Sequence, residues 1–194
     1  MTVTVIKLGG SLLHSAELPI WLETIHSLAS TTNIVIVPGG GAFADKVREI
    51  QPLRNLSDKT AHQMALLGMC QFGYLLAGLS ENIQLVEDID SVAKNLNKNI
   101  PIIWLPTALI NDDSEVSASW DFTSDSIALW LAINLLADRL VLVKTKYLDH
   151  DLPIEKHINN NDIDKGFKKF VDKYSADIKF MQKSQHQLLK GICL

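Results

Sequence analysis

Val3-Thr-Val-Ile-Lys7-Leu-Gly9-Gly10-Ser11 is a short β-branched run that ends in two glycines and a serine, with one lysine set just before the turn. A lysine at the exit of a buried strand is costly unless an anionic group faces it. Two glycines let the backbone come close to a ligand, and their N–H groups can face a phosphate. The stretch reads either as a phosphate-handling site at the carboxyl end of a first strand or as a strand followed by an ordinary glycine turn.

The neighbouring elements weigh on that choice. Pro19 suits the first turn of a helix, and Trp21, Leu22, Ile25, Leu28 and Ala29 then recur at helical spacing. Ile34-Val-Ile-Val37 is a fully apolar β-branched run, typical of a strand covered on both faces. Strand, helix and strand in so short a span make the βαβ pattern of a parallel sheet. The second strand runs into Pro38-Gly39-Gly40-Gly41 and at once into a helical pattern, which places backbone N–H groups at a helix N-terminus, where an anion is favoured. Neither G-x-G-x-x-G nor G-x-x-x-x-G-K-[ST] is present, so the dinucleotide and P-loop folds lose ground. Two glycine-rich loops, each ending one of two neighbouring parallel strands, coincide with the edge where open α/β sheets bind ligands.

Residues 58–76 read as a long helix with His62, Ala65, Leu66, Met69, Phe72 and Leu76 on one face. His62 thus lies on an apolar stripe, either as a satisfied core or interface residue or as a contact for substrate. Residues 83–86 and 100–105 supply two further strands, with a short polar helix at 88–96 between them. From 106 to 122 the chain turns polar, with Asn111-Asp-Asp-Ser, and marks a lobe boundary or a loop that closes over substrate. Trp120-Asp-Phe-Thr123-Ser124-Asp125-Ser126 then leads into an apolar helix at 127–137. Thr123 or Ser124 suits the N-cap, and Asp125 suits the helix dipole. An acid beside a lysine-bearing phosphate site would also hold and orient lysines or recruit Mg²⁺. Leu140-Val-Leu-Val-Lys144-Thr145-Lys146 is another buried strand, ending in two lysines. The remainder, through Lys168, Lys169, Lys173, Lys179 and Lys183, is amphipathic and lysine-rich, and most of those lysines read as a solvated face.

The totals bound the function class. With 194 residues, 47% hydrophobic, the chain can bury a core as one domain of two lobes. A net charge of −4 and a pI near 5.8 leave no basic stripe for nucleic acid. Cys70 and Cys193 are far apart without metal-site spacing, and no signal segment is evident, so a reducing cytoplasm is expected. The longest apolar run, 127–137, is too short for a bilayer, which needs roughly 20 residues.

The order Lys7-Leu-Gly-Gly-Ser, Val37-Pro-Gly-Gly-Gly, Thr123-Ser-Asp-Ser and Lys144-Thr-Lys resembles the amino acid kinase superfamily, which includes acetylglutamate, aspartate, uridylate and isopentenyl phosphate kinases. The resemblance implies an α/β fold, a three-layer α/β/α sandwich on a mainly parallel sheet. It implies one kinase domain over 1–194, with an acceptor-binding lobe at 1–105 and an ATP-binding lobe at 106–194. Trp120-x-x-Thr-Ser-Asp-Ser and Ala61-His62-x-Met64-Ala65 look most like the small kinases of methanofuran biosynthesis, which phosphorylate an aminomethylfuran-methyl phosphate with ATP and Mg²⁺. By that resemblance Lys7 neutralises the transferring phosphoryl group and Asp125 organises the catalytic lysines. Gly9, Gly10, Ser11, Lys144, Thr145, Lys146 and Asp149 fall on the ATP side, with Lys179 as a candidate second lysine. Gly39, Gly40, Gly41, His62, Trp120, Thr123 and Ser124 fall on the acceptor side. It implies a homo-oligomer acting on a small phosphorylated molecule, without nucleic acid or membrane. Two departures stand out. The family's Asp-Val-Asp-Gly-Val-Tyr is replaced by Lys146-Tyr-Leu-Asp149-His150, and its closing Gly-Thr-x-Ile strand by Gly191-Ile-Cys-Leu194, which would weaken the nucleotide lobe. The same fold also leaves room for another acceptor, such as UMP, isopentenyl phosphate or a carboxylate, or for a non-catalytic nucleotide-binding protein.

Overall fold

A computed structural model describes residues 1–110 and 115–193. Its strands are β1 (Val3–Leu8), β2 (Asn33–Pro38), β3 (Gln84–Val86), β4 (Ile102–Trp104), β5 (Arg139–Lys144) and β6 (Asp177–Gln182). They form one six-stranded sheet in the order β3-β4-β2-β1-β5-β6, and every pairing is parallel. The helices are α1 (Leu18–Leu28), α2 (Gly41–Arg54), α3 (Asp58–Gly78), α4 (Ile89–Asn95), α5 (Ser124–Asn134), α6 (Ile154–Asn159), α7 (Lys168–Val171) and α8 (Leu189–Cys193). No helix among the described residues is long and apolar enough to cross a membrane.

Side chains alternate across a strand, and here the alternation sorts them into two cores. Ile6, Leu8, Ile36 and Val143 pack with Trp21 and Ile25 of α1 and with Leu189 of α8. Val5, Val37, Leu140 and Leu142 pack with Ile127 and Leu131 of α5 and with Phe167 and Phe170. The result is a three-layer α/β/α sandwich. Covering both faces is what permits the uninterrupted apolar runs of β1, β2 and β5. α3 serves both cores, giving Leu66 and Met69 to one and Phe72 and Leu76 to the other.

The same parity fixes the direction of two lysines. Lys7 lies two residues beyond Val5, and Lys144 two beyond Leu142. Both therefore project into the layer occupied by α5, at the carboxyl ends of adjacent strands.

One expectation from the sequence is corrected. The apolar helix expected at 127–137 begins and ends earlier, as Ser124–Asn134. Its start is drawn back by the Asp164 carboxylate, which accepts from Thr123 N–H at 2.9 Å and Ser126 N–H at 3.1 Å. Its end is set by Leu136, which takes a left-handed φ of 51° that stops a right-handed helix. In the lysine-rich tail Lys168, Lys169 and Lys173 are exposed, and the same segment contains a strand the sequence does not announce, β6, with Phe180 and Met181 buried. The Asn111-Asp-Asp-Ser stretch, expected as a lobe boundary or closing loop, lies outside the described residues.

Candidate functional site

The buried carboxylate of Asp125, in the first turn of α5, is the centre of the site. Lys7 Nζ lies 3.0 Å from its Oδ1. Lys144 Nζ donates to its Oδ2 and, at 2.8 Å, to the Asp162 carbonyl. Burial pushes the Asp125 carboxyl up, but Lys7 and Lys144 outweigh it and bring its pKa to about 2. Burial lowers the pKa of Lys7, and Lys144 adds to this while Asp125 opposes it. Two ammonium groups thus share one carboxylate at the sheet edge.

The glycine loops beside this cluster interlock backbone against backbone. Gly39 N–H continues the ladder to the Leu8 carbonyl at 2.8 Å, and Gly9 N–H reaches the Val143 carbonyl at 3.3 Å. A Cβ on Gly10 would stand 2.0 Å from Gly41 N, and one on Gly39 would stand 2.3 Å from Gly10 N. Gly41 takes φ +51°, a conformation open to glycine at little cost. Two facing loops of bare backbone are the kind of surface a phosphate chain can approach closely.

Gly10 is the wall between two clefts. On one side Lys7, Gly9, Ser11, Lys144, Thr145 and Lys146 line a cleft. Lys146 pairs with Asp162 at 2.6 Å and holds that carboxyl below the usual range. Asp162 is in turn 3.3 Å from His157 Nδ1, whose Nε2 sits 2.9 Å from the Asp149 carbonyl. The Asp149 side chain itself is turned to Asp151 N–H at 3.0 Å and does not line this cleft.

On the other side is a chamber of about 150 Å³, walled by α2, α3 and residues 120–127. Of the residues assigned to the acceptor side, Gly40, Gly41, His62, Trp120, Thr123 and Ser124 line it and Gly39 does not. The Thr123 hydroxyl is committed to Asp164 at 2.6 Å. Trp120 Nε1 donates to Gln51 at 2.5 Å, and the Arg48 guanidinium lies 4.3 Å over its ring. A polar cleft containing Asp125 and Lys144 continues past Arg48 and Trp120.

Lys179 is not brought to the site. It sits mid-strand on β6, level with Val141, and pairs with Asp177 at 3.1 Å. Arg48 and Asp164 are the residues that sequence reasoning missed. Arg48 reads locally as a surface charge three residues from Asp45, with which it pairs at 3.4 Å. Asp164 sits in a polar stretch whose only local signal is a short-helix N-cap to Phe167.

The sequence pattern of the "Amino acid kinase family" matches residues 2–147. The chain belongs to that family. It is 32% identical over 143 residues to the [5-(aminomethyl)furan-3-yl]methyl phosphate kinase of Methanocaldococcus jannaschii, a match covering 73% of this chain. The chain spans 64% of that relative's length. As an amino acid kinase fold it superposes on the uridylate kinase of Archaeoglobus fulgidus with a TM-score of 0.72 at 18% identity, covering 98% of this chain and 96% of that one. It superposes on the UMP kinase of Bacillus anthracis with a TM-score of 0.73 at 14% identity, covering 99% and 91%. Those two likenesses are of fold.

Proposed function

We propose that the protein is an ATP-dependent kinase that transfers the γ-phosphoryl group to a small phosphate monoester, with [5-(aminomethyl)furan-3-yl]methyl phosphate as the preferred acceptor and its diphosphate as product. The observation that carries the reading is the Lys7–Asp125–Lys144 cluster between two interlocked glycine loops, with one cleft on either side of Gly10. Phosphoryl transfer needs positioning and charge neutralisation more than a general base. A phosphate monoester acceptor is already largely ionised, which suits a site built from ammonium groups and backbone N–H.

In this reading ATP lies along Gly9, Gly10, Ser11 and Lys144, and the acceptor enters the chamber behind Gly41. Lys7, at the seam, neutralises the group in flight, in direct in-line transfer without a covalent enzyme intermediate. Among the described residues no three His, Cys, Asp or Glu converge on a metal site. Mg²⁺, which shields the phosphate charges when bound to ATP, would therefore enter with the nucleotide rather than in a cage of side chains. The reading includes a cytoplasmic setting, which suits the free buried thiols of Cys70 and Cys193. It also includes self-association through α3, where Leu67 and Tyr74 are exposed seven residues apart.

ADP release from ATP and Mg²⁺ tests it, with a panel of the aminomethylfuran phosphate, UMP, isopentenyl phosphate and amino-acid carboxylates. The furan phosphate should give the highest kcat/KM. Preference for another acceptor would replace the substrate and keep the reaction. ATP binding without turnover on any of them would replace the kinase by a nucleotide-binding protein.

A further inference from the structure

His157, on α6, is 1% exposed, and both of its ring nitrogens meet oxygens that can only accept. Nδ1 lies 3.3 Å from an Asp162 carboxyl oxygen, and Nε2 lies 2.9 Å from the Asp149 carbonyl. A carbonyl has no proton to give. Lys146 pairs with Asp162 at 2.6 Å and draws its pKa down, so that carboxyl is ionised near pH 7 and accepts as well. A neutral imidazole carries a proton on one nitrogen and a lone pair on the other. Either neutral tautomer would leave a buried lone pair against an oxygen, a contact that protein interiors avoid. Only a ring protonated on both nitrogens makes two hydrogen bonds here.

The ring closes on residues that line the cleft beside Gly9. Asp162 N–H also donates to the His157 carbonyl at 2.9 Å, so ring and backbone hold the same residue. Asp162 in turn presents its carbonyl to Lys144 Nζ at 2.8 Å and its carboxylate to Lys146. Lys144 donates to Asp125 as well. Among the described residues two of its three N–H groups are thus committed, and one is left for the cleft. Asp149, at the ring's other end, lies where the chain departs from the family's nucleotide loop. Asp162 is the acid that touches the ring, because the Asp149 carboxylate is turned to Asp151 N–H. The Phe180 ring centroid is 5.2 Å from that of His157, with His150 against the same phenyl ring, and Lys165 on the following turn pairs with Asp121 at 3.7 Å.

We propose that His157, protonated on both ring nitrogens, is a positioning residue of the nucleotide side: it clamps Asp162 to Asp149, and Asp162 holds Lys144 and Lys146 along the phosphate path of ATP. The effect on ATP rests on the kinase reading, whereas the state of the ring does not.

Nuclear magnetic resonance of the ¹⁵N-labelled full chain, with the ring assigned through the His157 backbone, reads its state directly. Near pH 7 both ring nitrogens should resonate as protonated. Asp162→Asn, whose amide can donate to Nδ1, should convert one of them to a bare nitrogen. A bare nitrogen in the wild type, or two protonated ones in Asp162→Asn, overturns the clamp. Raising the pH removes the proton and loosens the clamp, so wild-type KM for ATP should climb with the midpoint of the ring's own titration. A KM that ignores this midpoint overturns the positioning role. In His157→Gln, folded by circular dichroism, KM for ATP should rise about tenfold, the scale of one hydrogen bond to a charged group, and the climb should vanish. KM for the acceptor should stay within about twofold, because its chamber lies across Gly10. An equal rise in both KM values confines His157 to the fold and overturns the role. Two protonated nitrogens in a protein that turns over no acceptor sink the kinase reading and uphold the clamp, whereas turnover with a bare nitrogen does the reverse.

Discussion

Lys7 and Lys144 come from neighbouring strands and close on opposite oxygens of one carboxylate, Asp125. The register explains it, because Lys7 stands beside Leu142 and both lysines point into the α5 layer. The first turn of α5 then delivers Asp125 between them. One buried acid so positions two ammonium groups without cancelling both. Under the proposed kinase reading, that arrangement is preorganised for charge that develops on a phosphoryl group.

Lys7→Ala should lower kcat by at least about a hundredfold, the usual scale for losing one preorganised donor. Lys144 keeps Asp125 paired in the variant, so folding by circular dichroism should persist. A kcat near that of the wild type would remove Lys7 from the reaction.

Asp125 also ties stability to pH. Its folded pKa of about 2 lies below its ordinary value of 3.8, so it contributes stability above about pH 4 that is lost as the pH falls toward 2. The shift corresponds to about 2 kcal/mol. Urea denaturation between about pH 5 and pH 2.5 should therefore show a flatter pH dependence in Asp125→Asn than in the wild type. Equal slopes would mean that the lysines do not hold this carboxylate in the folded state.

What the sequence makes legible, and what it hides, divides along contact distance. β1, β2 and β5 are apolar β-branched runs, and the glycines that end β1 and β2 are local signals, so the sheet edge and most of the site can be read directly. β6 cannot. Its Asp-Ile-Lys-Phe-Met-Gln mixes charge with apolar residues at a sheet edge and blends into a lysine-rich tail. Lys179 looks equivalent to Lys144 in sequence, yet Lys144 ends its strand and Lys179 lies three residues short of the edge. Arg48 acquires its place from a tryptophan 72 residues away, and Asp164 from donors about forty away. No local pattern carries such pairings.

Replacing Lys179 by Ala should accordingly leave kcat and KM for ATP within about twofold, a surface-scale effect. A loss of tenfold or more in kcat would show that β6 reaches the nucleotide in a way that its pairing with Asp177 does not reveal.

The glycine loops give a paired comparison. Gly10→Ala places a methyl 2.0 Å from Gly41 N, where only backbone could yield, whereas Gly78 has nothing within 4 Å of its Cβ position. Gly10→Ala should part the loops and cost at least about 2 kcal/mol, with KM raised for both substrates because Gly10 walls both clefts. Gly78→Ala, at the end of α3, should be neutral or stabilising by up to about 1 kcal/mol. Similar melting temperatures for the two variants would contradict the interlocked packing.

Asp164 is the residue through which the fold reaches the chemistry. Its carboxylate accepts from the N–H groups of Thr123, Ser126 and Phe167 and from the Thr123 and Ser126 hydroxyls. It thereby caps α5 from 38 residues downstream and fixes the turn that carries Asp125. Burial raises its pKa and Asp125 adds to that, while the hydroxyl and N–H donors oppose it. Those donors favour the ionised carboxylate against its burial. Asp164→Ala strands several buried donors at once and should cost about 2–4 kcal/mol by urea denaturation with an unchanged m-value. Thr123→Val removes one donor only and should cost about 1 kcal/mol. If Asp125 is positioned through this turn, kcat should fall in Asp164→Ala even at temperatures where the variant is fully folded, with KM for ATP little changed. Full stability loss with an unaltered kcat would confine Asp164 to the fold and leave Asp125 positioned by its two lysines alone.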